Sequence, residues 1–261
     1  MVDTVIPPAS LQVADEIAIH HVSRRFLVND QQIQALDNVS LTVKKGEFVS
    51  LIGPSGCGKS TLLRMLAGLD CPDSGEVQAG GNTIRTPSLS RGIVFQDHRL
   101  LPWLNVEENI LLSLKQQDSS PAEQRRRVAQ LIELVGLKGF EKAWPHQLSG
   151  GMSQRAAIAR CLAPQPSILL LDEPFGALDS LTRRHLQKAL LQIWQQHQLT
   201  TVLVTHDIDE ALYLSDRIVV LKPRPGRVDS QFEVHSRRPR VLTQPDLIEV
   251  KTKIQQALDT H

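Results

Sequence analysis

Short apolar runs recur along the chain, and the residues flanking each one predict the element it forms. Residues 168–172, Ile-Leu-Leu-Leu-Asp, are too short for a helix and apolar on both faces, which predicts a central parallel strand. Residues 201–205 and 218–221 repeat that pattern, and 92–96 does so up to a closing glutamine, Gln96. Residues 47–52 predict a further short buried strand. Apolar and polar residues alternate over 35–43, the period of a half-buried strand. A first strand is expected at 17–20, with the polar stretch 29–34 as a hairpin tip. After Pro72-Asp73-Ser74-Gly75, a strong turn, a short strand is expected at 76–79.

Between these strands the period changes. Residues 61–67 predict a helix stopped by Gly68. From about 100 to 163 the pattern is mostly helical. Ser120-Pro121-Ala122-Glu123 forms a capping box with proline in the first turn, Val128, Leu131, Ile132 and Val135 recur at helical spacing, and Gly136 is the stop. This block is expected to form an inserted subdomain. An amphipathic helix is expected at 181–197 and a short helix at 207–214. Beyond Pro223 the pattern fades, and the basic run Arg237-Arg238-Pro239-Arg240 reads as a solvated surface. Strands alternating with helices predict an α/β fold.

Composition changes this picture little. The 261 residues carry a net charge of +1, which gives no global attraction to nucleic acid. Three scattered cysteines, Cys57, Cys71 and Cys161, make no disulfide framework and suggest a reducing compartment. Cys161 reads as a small buried apolar residue. No apolar run is long enough to span a bilayer, and residues 1–10 lack a signal-peptide pattern. The expectation is a soluble, cytosolic chain that a partner holds at any membrane it serves. Residues 1–16, with Pro7-Pro8, read as a loose tail.

The chemistry begins at Gly53-Pro54-Ser55-Gly56-Cys57-Gly58-Lys59-Ser60, followed by Thr61. This fits the phosphate-binding loop, and the predicted strand before it and helix after it are the context that loop requires. Free N–H groups and a helix dipole converge on a bound phosphate there. Lys59 is placed to reach the β- and γ-phosphates of a nucleotide, and the Ser60 hydroxyl to sit on Mg²⁺. Cys57 is a filler of the loop rather than a nucleophile. A second motif closes the apolar strand at Asp172-Glu173. In such folds a carboxylate at that strand end lies beside the phosphate loop, so Asp172 is the candidate Mg²⁺ ligand and Glu173 the candidate general base. A third, Leu148-Ser149-Gly150-Gly151-Met152, either caps a helix through Ser149 or offers a second phosphate-binding edge. Phe26 either stacks on a purine base or packs in the core.

With these motifs in place the chain resembles the nucleotide-binding subunit of ATP-binding-cassette (ABC) transporters. That family's signature is close to Leu-Ser-Gly-Gly-Gln, and Met152 departs from its last residue, a variant similar to one in a subset of bacterial importers. The resemblance covers roughly residues 17–227. It implies an α/β phosphate-loop ATPase with a central mainly parallel sheet, an N-terminal antiparallel β subdomain and an inserted α-helical subdomain. It implies that Phe26 stacks on adenine, that Gln96 contacts Mg²⁺ and couples to membrane subunits, and that Asp179, closing Ala177-Leu178-Asp179, communicates across a dimer. His206 then contacts the γ-phosphate. The implied domain is 17–240, with the helical part at about 100–163 and 241–261 as a C-terminal extension.

The resemblance also implies partners. Two copies sandwich two ATP molecules head to tail, so that Ser149, Gly150 and Gly151 of one copy close on the phosphate held by Lys59 of the other. Integral membrane permease subunits take up the motion, and a periplasmic or lipoprotein substrate-binding protein delivers cargo indirectly. No nucleic-acid partner is expected. The implied place is the cytoplasmic face of the inner membrane. Phe95 to Trp103 suits a groove for a partner helix, with exposed Leu, Pro and Trp, unless Trp103 packs the subdomain core. That stretch and Lys222 to Arg227 are similar to the branch serving importers of aliphatic sulfonates, taurine and nitrate. The Arg-Leu-Leu-Pro-Trp run and 177–183 most resemble its sulfonate members. The end at His261 is expected to leave no room for the regulatory barrel of sugar-type importers. A soluble ABC ATPase acting on DNA or ribosomes is the competing class.

Overall fold

The computed structural model describes residues 15–259. Strands β1 (Asp15–Val28) and β2 (Gln31–Lys44) form a long antiparallel hairpin. Its tip is only Asn29-Asp30, at φ 48° and 60°. Asn and Asp tolerate the left-handed region, so two residues suffice to reverse the chain. Residues 31–34, expected in the tip, instead pair with 25–28, and the first strand runs well past residue 20. The sequence signal failed there because repeated register shifts interrupt the alternation along β1. The expected tail falls outside the described residues, except that Asp15 and Glu16 open β1.

The remaining elements follow in order. Strand β3 (Phe48–Ile52) leads through the phosphate loop into α1 (Lys59–Leu66), stopped at Gly68 with φ 77°. Strands β4 (Ser74–Ala79), β5 (Asn82–Thr83) and β6 (Arg91–Val94) come next. The helical block holds α2 (Val106–Leu112), α3 (Pro121–Leu134), a 3₁₀ turn at Pro145–Gln147 and α4 (Gly150–Leu162). Then come β7 (Ile168–Asp172), α5 (Ser180–His197), β8 (Thr200–Val204), α6 (Ile208–Leu214), β9 (Arg217–Lys222), β10 (Arg227–Glu233) and α7 (Pro245–Asp259).

Two sheets result. One is antiparallel, in the order β2-β1-β4-β5; the other runs β10-β9-β3-β8-β7-β6 and is parallel except for β10. The apolar run of β7 divides by face, as its period of two requires. Ile168 and Leu170 join a cluster with α1 and the antiparallel sheet. Leu169 and Leu171 join a second cluster with α2, α3 and α4. The helical block therefore shares its core with the parallel sheet. Both expected capping features of α3 are present, Ser120 with Glu123 and proline in the first turn.

The C-terminal part carries more structure than the faded pattern predicted. Strand β10 and helix α7 build a third cluster, in which Leu247 and Ile254 are fully buried against Ile218 and Val220. Val250, Ala257 and Leu258 of α7 pack beside Leu247 and Ile254, at the spacing of one helical face. The basic run is only partly a solvated surface: Arg237 and Pro239 are exposed, but Arg238 and Arg240 are not. Arg240 is 5% exposed, and its guanidinium donates to the carbonyls of Ser236, Leu212, Ser215 and Val234. Arg238 donates to Asp216 and to the Leu214 carbonyl, and lies over the Trp194 ring. A planar fork of donors suits the free carbonyls at the end of α6, and this holds the C-terminal elements on the sheet.

Candidate functional site

The C-terminal ends of β3, β7 and β8 lie side by side, with β6 beyond β7. The segments leaving these strand ends meet at one place. After β3 the loop 53–58 turns into α1 with Gly58 at φ 86°. A Cβ there would also meet the Leu36 side chain at 2.4 Å, so only glycine fits. No side chain caps α1, and its first turn holds no acidic residue. Its first N–H groups are thus free for an anion. Pro54, Ser55, Gly56 and Ser60 are exposed, whereas Gly53, Cys57 and Lys59 are buried. The Lys59 ammonium takes the carbonyls of Gly53 at 2.7 Å and Pro54 at 3.0 Å. The loop is wound around its own cation. Cys57, fully buried, packs beneath it and serves as filler.

Asp172 ends β7 beside α1 and accepts a hydrogen bond from the Ser60 hydroxyl at 3.0 Å. Burial pushes its carboxyl above the usual range, and the bond from Ser60 opposes that shift. Two oxygen donors, one charged, suit a hard cation that keeps waters and takes phosphate oxygens. Among the described residues no three His, Cys, Asp or Glu side chains are grouped so as to hold a metal ion.

Glu173 is the next residue and has φ 45°, a conformation costing an L-residue about 1–3 kcal/mol. Its N–H is fixed on the Val204 carbonyl at 2.9 Å. One carboxylate oxygen receives both Gln96 Nε2 at 3.5 Å and His206 Nδ1 at 3.2 Å. Gln96 follows β6 and His206 follows β8, so residues far apart in sequence converge on one oxygen. The Glu173 side chain is half-buried and that of His206 exposed. Lys59, Ser60, Asp172, Glu173, Gln96 and His206, all singled out from the sequence, stand together.

Other candidates stand apart. Ser149 caps α4 by accepting the Met152 N–H at 3.2 Å, and both it and Gly150 are exposed. A Cβ on Gly150 would touch nothing within 4 Å, and one on Gly151 would meet Leu178 and the Ala177 carbonyl. Asp179 caps α5 through the N–H groups of Leu181 and Thr182. Hydrogen bonds, that of Thr182 foremost, hold its carboxyl below the usual range. The 149–151 edge thus abuts the 177–179 turn. Among the described residues no hydrogen bond or ion pair joins either to the phosphate loop. Phe26 is half-buried on β1, with the Arg24 guanidinium 5.0 Å from its ring. Concavities of about 440 and 540 Å³ lie elsewhere, one at the N-terminal ends of β7 and β8 beside Lys45, one between α5 and α6. None of the six clustered residues lines either concavity, and Ser60, Gln96 and His206 among them are exposed.

Two features went unforeseen. Gly226 packs under the loop, where a Cβ would come within 2.2 Å of the Cys57 carbonyl; the only sequence signal was a glycine after proline. In 95–103, Leu100 is buried and Leu101 half-buried, so the expected exposed leucine is absent. Pro102 is exposed and Trp103 is 67% exposed, which removes the reading of Trp103 as core packing. Asn109, fully buried, holds this loop by accepting from Leu101 N–H and donating to the Leu101 and Leu104 carbonyls. Cys161 is packed against the helical core, and desolvation pushes its thiol up to about 12.

Comparison with known proteins agrees with this geometry. The family model described as ABC transporter matches residues 36–176. The aliphatic sulfonates import ATP-binding protein of Bacillus thuringiensis subsp. konkukian is 48% identical over 243 residues, 93% of this chain and 96% of its own. The bicarbonate transport ATP-binding protein of Synechocystis sp. is also 48% identical, over 91% of this chain but 37% of its own. Among solved structures, the ATP-binding cassette MJ0796, dimeric in a post-hydrolysis state with ADP and Pi, superposes with a TM-score of 0.77. The two share 35% identity, over 85% of this chain and 100% of that one.

Proposed function

Because the chain belongs to the ABC transporter family, we propose that it is the ATP-hydrolysing subunit of a bacterial importer of aliphatic sulfonates. The observation that carries the ATPase part is the meeting of Gln96 and His206 on one oxygen of Glu173, beside the Lys59–Ser60–Asp172 cluster. Lys59 leaves the loop carbonyls for the β- and γ-phosphates, and residues 53–61 cradle them through backbone N–H groups. Ser60 and Asp172, with Gln96, would hold Mg²⁺, which would supply charge neutralisation on the phosphates. Glu173 takes the proton of the attacking water, and His206 fixes that carboxylate and the γ-phosphate. Phe26 stacks on adenine.

The site is open in one chain, and its remaining wall is assigned to a second copy. Head to tail, the exposed Ser149–Gly150–Gly151 edge of one copy covers the phosphates held by Lys59 of the other, with Asp179 at the seam. The dimeric state of the cassette MJ0796 supports this arrangement. ATP then favours closure of the pair and its hydrolysis releases it, which is the differential affinity a conformational switch needs.

Permease subunits are the proposed membrane partner, docked on the helical subdomain near 100–163. The exposed Pro102 and Trp103, held in place by buried Asn109, support that site. No helix among the described residues is long and apolar enough to cross a membrane, so the proposed peripheral place on the inner membrane's cytoplasmic face requires that partner. A substrate-binding protein delivers cargo from the other side. We assign 17–240 to the catalytic domain and 241–261 to an extension whose helix α7 is packed on it.

The sulfonate assignment rests on the name and near-complete overlap of the Bacillus relative. Taurine and nitrate remain the second reading within the same branch. The test is uptake of labelled alkanesulfonate, taurine or nitrate by proteoliposomes holding the chain with the permease encoded beside it. ATP-driven alkanesulfonate uptake supports the proposal; uptake of nitrate or taurine alone overturns the cargo, and ATPase activity without any membrane partner binding overturns the class.

A further inference from the structure

His206 and the 177–179 turn follow different strands, yet side chains of α5 and α6 join them. His206 lies between Thr205 and Asp207, and both neighbours are pinned. Asp207 Oδ1 accepts the Glu210 N–H at 3.1 Å, and the Asp207 N–H donates to Thr205 Oγ1 at 3.1 Å. Glu210 is 6% exposed and accepts from Gln187 Nε2 of α5 at 3.0 Å. Burial pushes its carboxyl up, against hydrogen bonds from Thr205 and Gln187. One turn into α5, Arg183 spans the gap. Its Nη2 donates to the Leu178 carbonyl at 3.2 Å and its Nη1 meets Asp207 Oδ2 at 3.5 Å. The planar fork of its guanidinium reaches two acceptors on different segments at once. Leu178 in turn is the residue a Cβ on Gly151 would strike. A contiguous line therefore runs from Gly151 through Leu178, Arg183, Asp207 and His206 to Glu173.

We propose that Arg183, seconded by Gln187, is a positioning residue that sets His206 from the 177–179 turn. The kinetic consequence rests on the ATPase reading above; the structural link does not.

The test uses the full chain with ¹³C-labelled histidine and the variants R183A, R183K and H206Q. The His206 resonance is the one lost in H206Q. In R183A that resonance shifts while those of distant histidines stay, and R183K restores part of the shift. In turnover, R183A lowers kcat roughly tenfold with the KM for ATP within about twofold, as a misplaced group does. Added to H206Q, R183A costs less than about twofold more, since both act through one side chain. An unmoved His206 resonance overturns the proposal, as does a full tenfold further loss in the H206Q background. If H206Q turns over normally while R183A still moves the resonance, the link stands and the assignment of His206 fails.

Discussion

Replacing Arg240 by methionine removes the guanidinium while keeping most of the stem. Three of its four hydrogen bonds, to the carbonyls of Leu212, Ser215 and Val234, are buried. Each acceptor left without a donor costs roughly 1–3 kcal/mol, so the gross loss is about 3–9 kcal/mol. Against this stands the burial of the cation itself. Desolvation holds the Arg240 guanidinium down to about 10, and freeing the chain of a buried charge returns several kcal/mol. The net expectation is a loss of about 3 kcal/mol. For a domain of this size that lowers Tm by roughly 6–12 °C, at about 2–4 °C per kcal/mol. Thermal unfolding by circular dichroism measures it, with ATPase at low temperature as a check that the folded fraction still works. R240K, which keeps the charge but not the fork, falls between. A Tm within about 1 °C of the native chain would return Arg240 to the solvated surface that the charge pattern suggested.

Glu173→Gln keeps ATP binding, read by fluorescence of a labelled nucleotide, and lowers turnover by roughly 10²–10⁴, the usual worth of a general base; normal turnover removes Glu173 from that role. Asp172 has its folded-state pKa raised, so its contribution to stability is full below the unfolded value near 3.8 and is lost as pH rises through the folded one. Asp172→Asn is therefore more heat-stable than the native chain at neutral pH and indistinguishable from it at pH 3, while losing Mg²⁺-dependent hydrolysis; equal Tm values at both pH values refute the burial argument. Gly226→Ala drives a methyl group into the Cys57 carbonyl, and overpacking of this kind costs about 1–3 kcal/mol. Weaker ATP binding together with a lower Tm is expected, and an unchanged affinity would show that 222–227 does not support the loop.

The parallel sheet and its strand ends were legible because burial on both faces leaves unbroken apolar runs such as 168–171. The loop 53–60, Asp172, Glu173 and Ser149 were legible because phosphate and helix-cap chemistry fix residue type at fixed spacing. Legibility ended where contacts are long-range. Nothing in the sequence of β1 announces its register shifts. The helical spacing of Leu247, Val250, Ile254, Ala257 and Leu258 in α7 was present in the sequence and went unread. Arg240 was misread because charge predicts exposure unless helix-end carbonyls lie within reach, and that is a property of the fold. Gly226 and Arg183 act on segments distant from them in sequence, so their partners became visible only in three dimensions.

Each proposed ATP site is built from two copies, and complementation between two variants tests it. Lys59→Ala disables the phosphate loop of its own copy, and Ser149→Arg disables the edge that copy presents to another. Each variant alone is expected to be inactive. In a mixture, the mixed dimer pairs an intact Lys59 with an intact Ser149 at one of its two sites. Steady-state ATPase of the mixture therefore rises well above the sum of the separate proteins, toward half the native activity per mixed dimer. A mixture that stays at that sum would contradict the account and place the whole of hydrolysis within one chain.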